Sequence, residues 1–465
     1  MESQLIKKAH GIQRQLPIQE VYGAGIGRSR DAYFLNIAYP SLQAMDVLQP
    51  QTITDAIPTI GHKVALYIHI PFCTRLCYYC HYYKVFGAGQ GLVESYLSAL
   101  FKEIELYADI FGRLEAASVY IGGGTPSYLE PDQMKRLFHH IRRDLVVLLG
   151  TEITFEMHPE SVTRDRLEAL RACGVNRISM GVESFDDEIL TSENRGHTSD
   201  EAVRAYETIR HAGFDNINLD LIYGLRRQTV SVWEQNLAQI AELMPASMCA
   251  YYLRVKTSTP DAKLYLAGAD GFPSEEDLLL MHIMTCEAMK ELEYDQPIVD
   301  WFVRSAKHFH QYQDHNWRQT DRVPLLGLGA SAYSYLGGVQ YYNINDITKY
   351  IAQLKEGTLP VWKGEVLPPH ERMRRTAVLG LKMGIDRGEF ASTYGVDFCK
   401  QFSATTEQLE KLGLLEITPQ SVRLSYLGAL FADEVCRKFY SPTVRKRMAA
   451  VDPLLISTTH PRFNH

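Results

Sequence analysis

Residues 63–84 read KVALYIHIPFCTRLCYYCHYYK, an apolar run that ends at Pro71 and is followed by three cysteines. The run has the length and composition of a buried β-strand, and proline cannot donate to the hydrogen-bond ladder that would continue it. Cys73, Cys77 and Cys80 are therefore predicted to lie on the loop that leaves the first strand. Five further cysteines occur singly in apolar or helical contexts, as expected for small buried side chains: Cys173, Cys249, Cys286, Cys399 and Cys436.

Strand-like and helical patterns alternate after this loop. The strand-like patterns cover 117–121, 152–157, 177–182 and 216–224, and the helical patterns cover 92–111, 163–173 and the stretches after Pro131, Thr198 and Thr229. Thr198 and Glu201 form a capping box that marks one helix start. Strands that alternate with helices in this way form a parallel sheet with crossover helices.

Two of these strands are not uniformly apolar, although parallel strands covered by helices on both faces usually are. In the strand 152–157, Glu152, Thr154 and Glu156 alternate with apolar residues, and the strand 216–221 alternates in the same way. Because successive side chains point to opposite faces of a strand, one face of the sheet is polar. This pattern predicts an α/β fold, a partial or full β/α barrel with a polar lumen and functional loops at the carboxyl ends of its strands.

The chain divides into three predicted regions. Residues 1–58 show little periodicity and form an N-terminal extension on the substrate side, and residues 59–340 form the barrel. Residues 341–465 form a C-terminal helical domain, in which LGLLEITPQSVRLS (412–425) has the pattern of a β-hairpin and 426–439 that of a closing helix. This order predicts a winged-helix-like α+β accessory domain with a lid or packing role.

The composition of the chain excludes several classes of protein. A length of 465 residues and a hydrophobic content of 46% are sufficient for a large buried core. The net charge of −7 offers no global positive field for nucleic acid, and the basic clusters are short, so at most peripheral membrane contact is expected. The sequence shows neither an apolar run that could span a bilayer nor a signal-peptide pattern, which predicts a cytoplasmic protein.

Three cysteines on one loop of an intracellular protein indicate a metal centre. A structural zinc site needs four ligands, usually in two separated pairs, and His81 is poorly placed to share a metal with the adjacent Cys80. A cubane iron–sulfur cluster held by three thiolates leaves one iron open for a substrate or cofactor. The spacing therefore favours the cluster, with zinc as the alternative.

The spacing C-x3-C-x2-C, with Tyr79 just before the last cysteine, resembles the signature of the radical S-adenosylmethionine (SAM) superfamily. The resemblance implies that Cys73, Cys77 and Cys80 hold a [4Fe-4S] cluster whose open iron binds the amino and carboxylate groups of SAM. It also implies that a flavodoxin- or ferredoxin-type donor supplies the electron that cleaves SAM to a 5′-deoxyadenosyl radical. The protein then has to bind and orient the reactants and exclude competing reactions.

Five motifs occur in the order seen in the oxygen-independent coproporphyrinogen III dehydrogenase-like branch of that superfamily. They are YIHIPFC (67–73), IGGGTPSYL (121–129), RISMGVESF (177–185), LDLIYGL (219–225) and LLGLGASAYS (325–334). The resemblance implies a backbone cradle for the methionine amino group, formed by Gly122, Gly123, Gly124 and Thr125.

The same resemblance implies further cofactor-binding positions on the barrel. Glu156, Arg195 and Asp220 match polar positions that hold SAM, and Tyr67 matches an aromatic residue near the cluster. A solvated surface charge is the alternative for Arg195, since it is predicted to lie in a loop. Some members of the branch bind a second SAM, and three residues match positions near that second pocket: Glu183, Leu253 and Tyr333.

Three activities share this scaffold in the related proteins: oxidative decarboxylation of porphyrinogen propionates, haem delivery by a chaperone, and methyl transfer by class C enzymes. The 72 residues before Cys73 disfavour the chaperone, whose chains usually begin close to the cysteine motif. The stretch 32–42, AYFLNIAYPSL, resembles the substrate-contacting segment of the dehydrogenase. However, Tyr82 stands where the dehydrogenase has a fourth cysteine, and Arg226 replaces a proline of its motif.

The CHYYK ending of the cysteine loop instead resembles the class C methyltransferases. The resemblance therefore predicts an enzyme that uses two SAM molecules to methylate an sp2 ring carbon of a small aromatic acceptor, with menaquinone C-8 as the leading candidate. The dehydrogenase, acting on a tetrapyrrole, is the first alternative, and the haem chaperone is the second.

Overall fold

The computed structural model describes residues 3–28, 38–55, 62–255, 259–318 and 323–450. Its strands are β1 (Asp46–Val47), β2 (Lys63–Ile70), β3 (Phe72–Cys73), β4 (Val85–Phe86), β5 (Glu115–Gly123), β6 (Glu152–Met157), β7 (Arg177–Glu183), β8 (Ile217–Tyr223), β9 (Ser247–Tyr252), β10 (Asp295–Ile298), β11 (Trp301–Val303), β12 (Leu325–Leu328), β13 (Tyr333–Leu336), β14 (Val339–Asn343), β15 (Val361–Val366), β16 (Ile385–Asp386), β17 (Leu415–Ile417) and β18 (Ser421–Leu424). Its α-helices are α1 (Gln4–Gln15), α2 (Ile18–Gly23), α3 (Gln51–Asp55), α4 (Gln90–Phe111), α5 (Pro131–Asp144), α6 (Arg164–Ala172), α7 (Asp187–Ser192), α8 (Ser199–His211), α9 (Val230–Leu243), α10 (Pro260–Leu266), α11 (Glu275–Glu291), α12 (Gln311–Trp317), α13 (Ile347–Lys355), α14 (Pro369–Gly380), α15 (Arg387–Tyr394), α16 (Phe398–Gln401), α17 (Ser403–Lys411), α18 (Tyr426–Leu430), α19 (Ala432–Arg437) and α20 (Pro442–Ala449).

Thirteen strands form one mixed sheet in the order β1-β15-β14-β13-β12-β2-β5-β6-β7-β8-β9-β11-β10. The seven central strands, from β12 to β9 in this order, run parallel to one another. Antiparallel strands extend both edges, and within the described residues β1 and β10 end the sheet without pairing to each other. The predicted fold class is confirmed as an α/β fold with a large mixed sheet and a C-terminal accessory domain.

The two faces of the central strands differ as the alternation predicts. Phe155 and Met157 of β6 are buried in the main hydrophobic core, whereas Glu156 between them contacts Tyr120 of β5 on the concave face. In β8, Leu219 and Leu221 belong to the same core. The concave face is therefore polar, and the opposite face packs under the crossover helices.

Helix α12 closes the lumen at the amino ends of the strands. The backbone N–H groups of Gln311 and Tyr312 each donate to the carboxylate of Glu152, the first residue of β6, over 3.1 Å. His315 Nδ1 lies 2.9 Å from Ser118 Oγ of β5. The chamber above α12 is thus open toward the carboxyl ends of the strands, where the cysteine loop lies.

The C-terminal part contains helices around a three-stranded sheet in the order β16-β18-β17. The hairpin expected at 412–425 is present as β17 and β18, which pair antiparallel. The closing helix expected at 426–439 is interrupted at Phe431, whose backbone leaves the helical region between α18 and α19. The predicted boundaries at residues 58 and 340 stay predictions.

The N-terminal residues contain helices that the sequence analysis does not predict. Helix α1 packs on α11, where Lys8 pairs with Glu287 over 2.9 Å and Gln13 donates to the Glu276 carbonyl over 3.0 Å. Residues 32–37 of the AYFLNIAYPSL stretch lie outside the described residues. Across the part of the chain that the structure describes, every helix is too short or too polar to cross a bilayer.

Candidate active site

The cysteine loop leaves β2 at the carboxyl edge of the sheet, as the sequence predicts. Cys73 ends β3, which pairs with β4 and so closes the base of the loop. The Cys73 side chain is buried, and Thr125 Oγ1 donates to its Sγ over 3.5 Å, while Cys77 and Cys80 are half-buried. Burial raises the pKa of the Cys73 thiol to about 12, so a thiolate at this position requires a cationic partner such as iron.

Backbone contacts fix the segment between the second and third cysteines. The Cys80 N–H donates to the Cys77 carbonyl over 3.2 Å, and Lys84 Nζ donates to the Cys80 carbonyl over 3.0 Å. From the neighbouring loop, Asn194 Nδ2 donates to the Leu76 carbonyl over 2.9 Å. These contacts hold the loop without using the cysteine sulfur atoms.

The glycines at the carboxyl end of β5 lie where a side chain has no room. A Cβ on Gly124 would come within 2.9 Å of Cys73 Sγ and 2.8 Å of the Phe72 carbonyl oxygen. Gly123 has φ of +126°, and a Cβ there would lie 2.8 Å from the Ile70 carbonyl oxygen. The backbone after β5 can therefore approach the cysteine loop closely, as a cradle for a cofactor requires.

Glu156 lies on the concave face beside these glycines. Tyr120 Oη donates to Glu156 Oε1 over 2.6 Å, and the Gly123 N–H donates to Oε2 over 3.1 Å. Burial nevertheless raises the pKa of Glu156 to about 7. A Cβ on Gly122 would come within 2.9 Å of this carboxylate, so the glycine leaves the space that Glu156 occupies.

Asp220 lies two strands away on the same face. Its carboxylate accepts hydrogen bonds from Ser179 Oγ and Asn218 Nδ2, each over 2.9 Å. Burial raises the pKa of Asp220, although both hydrogen bonds oppose that shift. Asp220 and Glu156 are thus fixed acceptors that can bind the hydroxyl or ammonium groups of a ligand.

Arg195 joins the cysteine loop to the end of β7. Its guanidinium donates to Tyr79 Oη over 3.1 Å and to Cys77 Sγ over 3.5 Å, and it also donates to the Gly181 carbonyl. Glu183 lies 3.6 Å from the same guanidinium, has φ of +68° and has a pKa raised by burial to about 7. Arg195 is therefore a buried cation beside a cysteine sulfur, and the surface-charge alternative is wrong.

The remaining predicted positions lie at two borders of the chamber. Tyr67 stacks on Tyr120 with ring centroids 6.1 Å apart and hydrogen-bonds His69 Nδ1 over 2.9 Å. Tyr333 packs in the apolar cluster that contains Tyr67, and its Oη accepts from Asn316. Leu253 belongs to a different apolar cluster, with Tyr79 at its edge. Leu253 and Tyr333, two of the three residues matched to a second pocket, thus lie in separate clusters at opposite ends of the row of central strands.

These observations fit the cluster and SAM that the cysteine motif implies. Three cysteines lie on a loop next to a side-chain-free cradle, Arg195 can compensate the charge of an iron-bound thiolate, and its Nε is buried without a partner in the structure. Among the described residues, no three His, Cys, Asp or Glu side chains are arranged to hold a single metal ion. A cubane does not need such an arrangement, because its thiolates bind separate irons.

Several residues of this site escape the sequence analysis. Tyr120 and Ser179, which support Glu156 and Asp220, alternate with apolar residues in β5 and β7, so the period-two pattern used for β6 could have identified them. His69, whose Nε2 lies 2.9 Å from the Tyr83 carbonyl oxygen, alternates with Ile68 and Ile70 in β2 and shows the same pattern. Asn194 gives no comparable signal because its partner, the Leu76 carbonyl, is distant in the sequence.

The comparisons with known proteins agree with this geometry. The model of the radical SAM superfamily matches residues 67–240, and that of the HemN C-terminal domain matches residues 367–431. The heme chaperone HemW of Bacillus subtilis is 30% identical over 376 residues, which cover 80% of this chain and 98% of the relative. The oxygen-independent coproporphyrinogen III oxidase of Pseudomonas aeruginosa is 29% identical over 83% of this chain and 88% of its own length.

Among solved structures, coproporphyrinogen III oxidase (HemN) from Escherichia coli matches with a TM-score of 0.77 and 27% identity. The match covers 87% of this chain and 96% of that structure. Together, the fold and the cysteine loop define a radical SAM protein. The chain belongs to the family that comprises the oxygen-independent coproporphyrinogen III oxidases and the heme chaperone HemW, and this family implies a [4Fe-4S] cluster and SAM as cofactors.

The prediction of a class C methyltransferase, with menaquinone as acceptor, is wrong. The curated relatives that match over four fifths of the chain carry the names of coproporphyrinogen III oxidases or heme chaperones, and HemN matches almost along its whole length. The prediction depended on Tyr82 and Arg226, which replace two residues of the dehydrogenase motifs, and on the CHYYK ending of the cysteine loop. A few loop positions carry less information than the agreement of strands, site and C-terminal domain.

Proposed function

We propose that this protein is a radical SAM enzyme that oxidatively decarboxylates propionate side chains of coproporphyrinogen III. The observation that carries the proposal is the match to HemN, which extends over both the barrel and the C-terminal domain at 27% identity. The chamber is compatible with a substrate that has polar side chains on flat rings. Its concave face is polar, and its aromatic walls include Tyr67, Tyr120 and Tyr333.

Most of the predicted site residues have a direct part in this proposal. Cys73, Cys77 and Cys80 would hold the cluster, and the backbone from Gly122 to Thr125 would receive the amino group of SAM. Glu156 and Asp220 would accept hydrogen bonds from SAM, while Arg195 would compensate the charge at Cys77. A second SAM would lie between two borders of the chamber, where the neighbouring side chains are Glu183, Leu253 and Tyr333.

When bound, the cluster and SAM supply a 5′-deoxyadenosyl radical that can abstract a hydrogen atom. For each propionate converted to a vinyl group, the substrate loses carbon dioxide, one hydrogen atom and one electron. The hydrogen atom ends in 5′-deoxyadenosine, and the electron has to pass to a one-electron acceptor. A flavodoxin- or ferredoxin-type protein is the proposed donor for cleavage of SAM.

Haem delivery is a second candidate, because HemW of Bacillus subtilis matches over 98% of its length. The N-terminal residues argue against it. Tyr39 Oη donates to Glu371 Oε2 over 2.5 Å and accepts from the Ser441 N–H, so the segment before the barrel is packed into the C-terminal part. A segment that is packed in this way favours the oxidase over the chaperone, because the oxidase needs a reaction chamber to which the N-terminal residues contribute.

The experiment that separates the two functions uses the anaerobically reconstituted full-length protein. It is incubated with SAM, a chemical reductant, an electron acceptor and coproporphyrinogen III, and the porphyrins are separated after oxidation. We expect a protoporphyrin product. Stoichiometric haem binding, with no turnover of the porphyrinogen, would replace the oxidase proposal with the chaperone.

A further inference from the structure

A buried group of charges connects the carboxyl end of β9 to the C-terminal domain. Arg254, two residues after β9, pairs with Asp433 and with Glu434, the latter over 3.2 Å. Lys382 Nζ lies 2.6 Å from the other carboxylate oxygen of Asp433. We call Arg254, Lys382, Asp433 and Glu434 the β9 clamp; their side chains are at most 10% exposed.

The N-terminal residues contribute to the same place. The ring of Tyr252, the last residue of β9, contacts two guanidinium groups, those of Arg28 and Arg254, each with its carbon 4.8 Å from the ring centroid. Arg28 Nε also donates to the Leu430 carbonyl of α18 over 2.6 Å. Three parts of the chain therefore meet on one side of this strand end.

The opposite side of the strand end faces the candidate active site. Leu253 lies between Tyr252 and Arg254, and alternation along an extended chain directs it away from the clamp. It packs in the apolar cluster bordered by Tyr79, and its N–H donates to the Tyr223 carbonyl over 2.9 Å. Tyr79 in turn accepts from Arg195, which contacts Cys77.

Stability alone does not account for a buried ion group here. Desolvation offsets much of the attraction within a buried ion pair, and apolar residues of similar volume often stabilise a fold equally well. What such a group supplies in addition is a defined geometry, because each charge has to meet its partners. Burial alone would raise the pKa of Asp433, but the charges of Arg254 and Lys382 outweigh burial and hold that pKa below its usual value.

We infer that Arg254 is a positioning residue, through which the C-terminal domain holds Leu253 and Tyr79 at the border of the active site. This inference rests on the proposed function only for its catalytic readout. The β9 clamp aligns the second reactant with the radical source and leaves the cluster and the cleavage of SAM unaffected. If Leu253 and Tyr79 are misplaced, SAM is still cleaved, but less product forms for each SAM molecule that is cleaved.

The test compares Asp433→Asn with Asp433→Glu, which keeps the charge, and with Asp397→Asn as a control. Asp397 forms a half-exposed pair with Arg387 elsewhere in the C-terminal domain. For Asp433→Asn we expect unchanged cluster content and unchanged 5′-deoxyadenosine formation without substrate, but an about tenfold fall in carbon dioxide per 5′-deoxyadenosine. Asp433→Glu should restore most of this ratio, and the control should keep it.

A merely structural role predicts a different result. Cluster content, SAM cleavage and product formation would then fall together with the unfolding temperature, and this outcome would overturn the inference. An unchanged ratio in Asp433→Asn would also overturn it.

A second measurement separates this inference from the proposed function. Hydrogen–deuterium exchange of residues 76–80 and 247–255 should become faster in Asp433→Asn and not in the control, whatever the substrate. If the wild-type protein releases no carbon dioxide, the oxidase proposal fails and the exchange result decides the positioning role. Unchanged exchange in these segments would then contradict it.

Discussion

At the scale of single residues, the three cysteines differ from the other five in their surroundings. The sulfur of Cys73 accepts a hydrogen bond from Thr125, and that of Cys77 accepts one from Arg195. In contrast, Cys173 and Cys436 are buried in the main apolar core. Motif spacing is sufficient to find this difference, since all three residues lie in one loop. The side chains that support them are harder to predict: Asn194 contacts a carbonyl 118 residues away in the sequence, and no local pattern records that contact.

Replacement of any one of the three cysteines should remove the cluster. We expect Cys73→Ala, Cys77→Ala and Cys80→Ala each to abolish the visible absorbance of the reconstituted protein and the SAM-dependent formation of 5′-deoxyadenosine, because two thiolates do not hold a cubane. Cys399→Ala, at a half-buried cysteine of α16, is the control and should keep both signals. Full absorbance in Cys80→Ala would show that the motif is not the ligand set.

Gly124→Ala tests the cradle beside Cys73. The added methyl group would lie 2.9 Å from Cys73 Sγ and 2.8 Å from a backbone oxygen, so the cysteine loop has to move. We expect at least about a tenfold loss of SAM cleavage, since displacement of reacting groups by an ångström has large kinetic effects. Gly91→Ala in α4, where a Cβ meets nothing within 4 Å, should be neutral in the same assay. Equal activity of the two variants would contradict the proposed cradle.

At the scale of elements, the central strands and most crossover helices follow from periodicity and capping residues. Two exceptions have physical causes. The apolar run PIVDWFV (297–303) turns at Asp300, which adopts φ of +71°, so its residues form parts of two antiparallel strands, β10 and β11, that periodicity does not reveal. Helix α1 has Leu5, Ala9 and Ile12 at helical spacing, but this short signal is lost when sixty residues are considered as one block.

Glu103 of α4 should make stability depend on pH. It is fully buried and accepts hydrogen bonds from Tyr350 Oη, the Gly329 N–H and Asn343 Nδ2. Burial raises its pKa to about 7 in spite of these bonds. The folded state therefore holds the proton more tightly than the unfolded state, whose pKa is about 4.3. The contribution of Glu103 to the free energy of unfolding is fully present below the pKa of the unfolded state, and it is lost as the pH rises to about 7.

Chemical unfolding between pH 5 and pH 7 measures this dependence. Glu103→Gln should reduce the fall in the free energy of unfolding over that interval by about 2 kcal/mol. Glu105→Gln, at an exposed residue of the same helix, should leave the fall unchanged, because the pKa of Glu105 is lowered and it stays ionised in this interval. A Glu103→Gln variant with the wild-type slope would be inconsistent with a proton held at Glu103.

At the scale of the whole molecule, N-terminal residues and the C-terminal domain meet the sheet at two strands. They contact the end of β9 through Arg28 and Asp433. They contact β15 through its pairing with β1 and through the ion pair of Glu365 with Arg447. The amino-acid sequence predicts the class of fold and of cofactor, because both depend on patterns within single segments. It does not identify the reaction, because the substrate side is assembled from segments distant in the sequence. Tyr333, Tyr67 and Tyr312 lie in one cluster, yet they come from three separate parts of the chain.

The central claim is that this radical SAM site decarboxylates a porphyrinogen. Its most direct test is anaerobic turnover of coproporphyrinogen III labelled with carbon-14 in the propionate carboxyl groups, with labelled carbon dioxide and 5′-deoxyadenosine counted in the same sample. We predict SAM-dependent release of labelled carbon dioxide in a ratio to 5′-deoxyadenosine near one, lost in Cys77→Ala. Formation of 5′-deoxyadenosine without any labelled carbon dioxide would contradict the claim.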